Sequence, residues 1–186
     1  MNITLTCAYL DCDNDSTSTR NYYLVLHRGS VDINKSIYFS LSAYDRIKTS
    51  SVSVSISGTA SNKGNSSISM SGVDSSVISV NLTNDTKIPN KAIVTSISSS
   101  GTQSPSQGNV HHMIMPASNS IWYTSTVSSA SSGHYNIDVD DGIPVKQKWS
   151  FKYNALATAK STMRNVKLTI GFQYDLHDTD YKTYIR

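Results

Sequence analysis

Between Val145 and Leu176 apolar side chains recur at every second position, in two runs. Val145, Trp149, Phe151 and Tyr153 fall on one side of an alternation whose other side carries Lys146, Lys148, Ser150 and Lys152. Val166, Leu168, Ile170, Phe172, Tyr174 and Leu176 then alternate with Lys167, Thr169, Gly171, Gln173 and Asp175. Successive side chains of a strand point to opposite faces, so a period of two with one apolar face predicts half-buried antiparallel strands. The connection over 155–162 is of ordinary length for two such elements. The two runs are expected to pair with each other and to bury their shared apolar ladder against a second sheet.

The same pattern continues along the chain. Ile3, Leu5 and Cys7 predict a first strand, Tyr22 to His27 a second, and Ile37, Phe39, Leu41 and Ala43 a third. Val52, Val54 and Ile56 alternate with serines at 51, 53, 55 and 57, and further strands are expected around Ile68, Ile78–Leu82, Ala92–Ile97, Val110–Ile114, Trp122–Val127 and Tyr135–Val139. About a dozen short strands with turn signals between them read as an all-β antiparallel sandwich, of jelly-roll or immunoglobulin-like type. The Ser/Gly/Pro-rich stretches 58–66 and 98–107 read as exposed loops. Residues 59–186 are expected to form the sandwich domain. Residues 1–58 either add strands to it or make a smaller N-terminal β segment.

Composition narrows the class. Hydrophobic residues make up 38% of the 186 and charged residues 16%, and every acid is Asp, since glutamate is absent. The net charge of +3 is spread along the chain, with only Lys146, Lys148 and Lys152 gathered on one strand face. A nucleic-acid surface calls for a clustered basic patch, so none is expected, and these lysines read as a solvated face that discourages edge aggregation. No apolar run is long enough to cross a bilayer. The first residues lack the basic and then apolar order of a secretory leader, so synthesis in the cytoplasm without export is expected. Cys7 and Cys12 are too few for a disulfide framework; their spacing would close a small loop if oxidised, and two reduced thiols are the favoured reading.

Little chemistry is spelled out. Asp11, Asp13 and Asp15 have the spacing that opens a calcium loop, but Ser16 and Tyr22 stand where the glycine and the closing acid belong. Asp138, Asp140 and Asp141 before Gly142 form a second acidic group that an Asp/Gly turn also explains. Both remain weak metal candidates, and no metal or other cofactor is expected. His111 and His112 must point to opposite faces of a strand, so only one could join His134, and structural histidines are expected. No nucleophile elbow is present and no pair of aspartates stands out as a hydrolase pair. Trp122 and Trp149 are expected in the core, and Tyr123, on the face opposite Trp122, is the candidate exposed aromatic for a binding surface.

A succession of anchors carries a resemblance: Lys87-Ile-Pro-Asn-Lys-Ala-Ile-Val-Thr-Ser-Ile, Gly108-Asn-Val-His-His, Ser120-Ile-Trp-Tyr, Lys148-Trp-Ser-Phe-Lys-Tyr-Asn and Met163-Arg-Asn-Val-Lys-Leu-Thr-Ile. Over residues 68–176 the chain resembles β-sandwich modules of tailed-bacteriophage virion proteins, of fibre, baseplate-associated or capsid-decorating type. That resemblance implies a non-enzymatic structural or adhesion protein located in the virion and made in the host cytoplasm. Its partners would be other virion proteins and host-surface glycan, with neither nucleic acid nor membrane, and it would work as a homo-oligomer. Loops 98–109 and 128–134 would present the contacts. A carbohydrate-binding module and a bacterial surface adhesin are the rival readings.

Overall fold

The computed structural model describes residue 34 and residues 47–66, 70–106, 109–126 and 133–175. The chain divides into units Met1–Ser42 and Ala43–Arg186, and all the described residues except Asn34 belong to the second. Among the described residues ten strands follow in order: β1 Ile47–Ile56, β2 Ala60–Asn62, β3 Val73–Asp74, β4 Ile78–Asn81, β5 Ile93–Ser104, β6 Val110–Pro116, β7 Tyr123–Thr124, β8 Tyr135–Ile137, β9 Lys148–Ala155 and β10 Ser161–Asp175. They form two antiparallel sheets. One runs β1-β10-β5-β8, with β2 also on β10; the other runs β3-β9-β6-β7, with β4 also on β9. The all-β sandwich expected from the alternation is the observed architecture.

The core lies between the sheets and is built from the positions the period of two selects. Val166, Leu168, Ile170 and Phe172 of β10 face Trp149, Phe151 and Tyr153 of β9, and all are at most 2% exposed. Removing aromatic rings of this size from water contributes roughly 1.5–3 kcal/mol each. Two polar tips are satisfied inside: the Trp149 indole N–H donates to the Val145 carbonyl at 3.0 Å, and the Tyr153 hydroxyl meets Ser161 Oγ at 2.9 Å.

Three expectations about these elements change. β9 and β10 do not pair; they lie in opposite sheets and face each other across the core, because the connection between them crosses from one layer to the other. Each takes other partners, Ile47–Ile56 running along Asp175–Val166 and Val110–Pro116 along Ala155–Trp149. Residues 98–104, read as loop, belong to β5, with Ser99, Gly101 and Gln103 turned inward and buried. Within 58–66, Ala60 and Asn62 are buried strand positions rather than an exposed tip. In both places small or polar residues occupy inward positions, so the hydrophobic period disappears although the backbone continues it. β1 shows that the sandwich takes in residues 47–56 as well as the stretch after 59.

Two irregularities shape the β5–β10 pair. Gly171 stands opposite Ser96 and Phe172 opposite Val94, so Thr95 is an extra residue on β5. A Cβ on Gly171 would collide with Ser96 Oγ, which is why the close approach needs glycine. Further along, Asn165 takes φ +52° in a second shift between Arg164 and Lys167. Asparagine tolerates that left-handed conformation better than a branched residue would.

Candidate functional site

The outer face of the first sheet is an array of short hydroxyls. Register aligns Ser53, Thr169, Ser98 and Asn136 across four strands, with Ser55, Lys167 and Ser100 in the row on one side. Ser51, Gly171 and Ser96 make the row on the other. Rows repeat about every 6.7 Å along the strands, and neighbours within a row stand about 4.8 Å apart. Ser53 Oγ and Thr169 Oγ1 are hydrogen-bonded at 2.8 Å. Lys167 supplies the one formal charge in these three rows. The face therefore offers closely spaced donors and acceptors with little charge to repel a neighbour. The alternation in β1 and β10 announces half of it; the Ser98 and Ser100 half was hidden where β5 was read as a loop.

At one edge of that sheet a groove opens. β5 and β8 pair at Ile97–Ile137, the chain leaves the sheet after β8, and it returns to β5 where the Val94 N–H donates to the Ile143 carbonyl at 2.9 Å. The space between, about 630 Å³, is lined by Thr95, Ser96, Asn136, Asp138, Asp141 and Gln173 over an apolar floor that includes Val94 and Ile97. Asp140 leaves this group. Its Oδ2 accepts the Tyr123 hydroxyl proton at 2.5 Å, and that hydroxyl in turn accepts from Asn119 Nδ2 at 2.8 Å. The hydrogen bond to Asp140 raises the Tyr123 phenol above its ordinary value, with burial adding to it. Asp138, Asp140 and Asp141 thus divide between a groove and a hydrogen bond, and among the described residues no three acid, His or Cys side chains gather as a cation would need. Asp11, Asp13 and Asp15, with Cys7 and Cys12, lie outside the described residues.

The two neighbouring aromatics exchange their expected places. Tyr123 is half-buried and packs on the core beside Ile114. Trp122, one position earlier, is half-buried outside the core, on the outer face of the second sheet, where Lys152 Nζ sits 4.4 Å from its ring centroid. Lys152 also meets Asp74 Oδ2 at 2.5 Å, and Asn154 Nδ2 donates to Asp74 Oδ1 at 2.7 Å. Burial would raise the Asp74 carboxyl, but the bonds from Lys152 and Asn154 and the lysine charge bring it below its ordinary value. The ammonium occupies one face of the indole. The other lysines of this run differ: Lys146 donates to Asn90 Oδ1 at 2.7 Å, and Lys148 is exposed.

The histidines separate as strand alternation requires. His111 is turned outward and donates from Nδ1 to the Ser125 carbonyl at 3.1 Å. His112 is fully buried between the sheets, its Nδ1 2.9 Å from Ser99 Oγ and its ring stacked on Tyr135 with centroids 3.6 Å apart. Phe151 meets the ring edge-on at 5.1 Å. Among the described residues Nε2 has no hydrogen-bond partner, and burial lowers the imidazole pKa to about 3. This is a serine–histidine contact sealed from solvent on both sides, since Ser99 is 1% exposed. It joins the two sheets and presents no nucleophile to a substrate. His134, the neighbour of Tyr135, is exposed.

No family model matches the chain. Over 168 residues, 90% of its length, the chain is 49% identical to a protein of Bacillus subtilis (strain 168) named "Uncharacterized protein YbdN". The chain spans 58% of the length of that relative.

Proposed function

We propose that this chain is a non-enzymatic structural or adhesion module of a virus particle, of the tailed-phage fibre, tail or capsid-decorating kind. It acts through the outer face of its first sheet on neighbouring virion proteins and on host-surface glycan. The observation that carries the reading is the hydroxyl array of Ser51, Ser53, Ser55, Ser96, Ser98, Ser100 and Thr169. Such a face satisfies many weak hydrogen bonds at once, and repetition converts weak contacts into stable attachment. The burial of His112 and Ser99 fits the same reading, because the most strongly perturbed histidine serves the packing of the sheets.

Binding of fluorescently labelled chain to host cells tests the face. Thr169→Lys, which places a long charged side chain at the centre of the array, should abolish cell binding while leaving the melting temperature nearly unchanged. Undiminished binding by a folded Thr169→Lys protein would overturn the assignment of this face.

A further inference from the structure

We infer that β1 is a self-pairing edge through which two copies of the chain join into a single continuous sheet. Three observations converge on this. β1 ends the strand order of its sheet, and among the described residues no strand pairs with its other side. Its ten residues keep an unbroken register with β10, with no bulge to turn the edge away, and they contain no proline. From Thr49 to Ile56 the strand carries no charge. Natural edges are ordinarily blunted by shortness, a bulge, a proline or an inward charge; over Thr49–Ile56 this one has none of those devices, and its one charge, Lys48, stands near the start of the strand.

The sequence of the edge is also complementary to itself. Ser51-Val52-Ser53-Val54-Ser55 reads the same in both directions about Ser53. An antiparallel two-fold pair centred there sets Ser53 against its own copy, Ser51 against Ser55, and Val52 against Val54. Every serine then lies on the hydroxyl face and every valine on the core side. Val52 and Val54 are only half-buried, whereas their strand partners Ile170 and Leu168 are completely buried. A second copy covers the exposed halves of both valines, as an isologous interface requires. The joined sheet runs β8-β5-β10-β1 and then the same strands in reverse from the partner, which doubles the hydroxyl array. This inference stands on the edge itself and not on the proposed function.

Sedimentation velocity on the full chain over a range of concentrations is the test, with amide hydrogen exchange of β1 on dilution as a readout that needs no variant. The expected result is a concentration-dependent dimer in which half of the β1 amides lose protection as it dissociates. Replacing Ser51, Ser53 and Ser55 together by Lys should weaken the dimer at least tenfold, and replacing them by Asp should do the same. Mixing the two variants should restore a dimer, because unlike charges then face each other. A wild type that stays monomeric at every concentration overturns the inference. Should its β1 amides be protected all the same, another segment of the same chain covers the edge. A dimer that persists in the folded triple-Lys variant overturns it too, by placing the interface elsewhere. A wild type that is monomeric at every concentration and still binds host cells would overturn this inference and leave the hydroxyl-face reading standing.

Discussion

Acid should weaken this sandwich chiefly through one residue. Among the described residues nothing accepts a hydrogen bond from Nε2 of the buried His112, so a second ring proton would sit uncompensated between the sheets. Its pKa in the fold is about 3, against 6.5 for the ordinary group. Because the folded value is the lower one, the fold favours the neutral ring. The stabilisation is complete above pH 6.5 and is lost progressively as pH falls toward 3. At about 1.36 kcal/mol per pH unit, the full effect approaches roughly 4–5 kcal/mol, and about 2.7 kcal/mol of it is gone at pH 4.5. A loss of that size lowers the melting temperature by about 5–15 °C in a domain of this length. Urea unfolding at pH 8 and pH 4.5, on wild type and His112→Asn, isolates the term from the carboxylates, which titrate in both proteins. The variant should start less stable, by about 2–4 kcal/mol for the lost ring packing. Between the two pH values it should then lose about 2–3 kcal/mol less than the wild type does. Equal losses in the two proteins would refute the assignment of the acid sensitivity to His112.

Other perturbations follow from the same geometry. Trp149→Ala should cost about 3–5 kcal/mol, read as a shift in the urea midpoint, because the ring is fully buried and its N–H is bonded to Val145; an unchanged midpoint would remove it from the core. Gly171→Val should destabilise by about 1–3 kcal/mol, since its Cβ would meet Ser96 Oγ at the bulge; calorimetry of the variant shows whether the strand pair instead adjusts without cost. Calcium should leave the melting temperature unchanged with or without chelator, and a rise of several degrees would point to Asp11, Asp13 and Asp15 or to Asp138, Asp140 and Asp141.

The fold class was readable because the strongest alternations, Val52–Ile56 in β1, Trp149–Tyr153 in β9 and Val166–Phe172 in β10, are those whose inward positions are large and apolar. Pairing was not readable from them. Two adjacent amphipathic strands can lie side by side or face to face, and the period of two is the same in both cases. β5 was lost where Ser99, Gly101 and Gln103 replace apolar residues on the inward side. Its inward Ser99 makes sense only with His112 opposite it, a partner from the other sheet that no local window contains. The exchange of Trp122 and Tyr123 has a similar origin. β7 is two residues long, too short for its own alternation to fix which ring turns inward, and the pairing of Tyr123 with Ile114 decides it. The acidic turn 138–141 was visible as a cluster in sequence, but separating its carboxylates required knowing that the Tyr123 hydroxyl reaches Asp140.

The central claim is that the chain works as a repeated surface element of a particle. Density-gradient fractionation of a lysate from the organism that encodes it, followed by immunogold electron microscopy, tests that claim most directly. The account predicts that the protein bands with virus particles and decorates each of them at many regularly spaced positions. Recovery of the protein wholly in the soluble fractions at the top of the gradient, with particles bare of label, would contradict it.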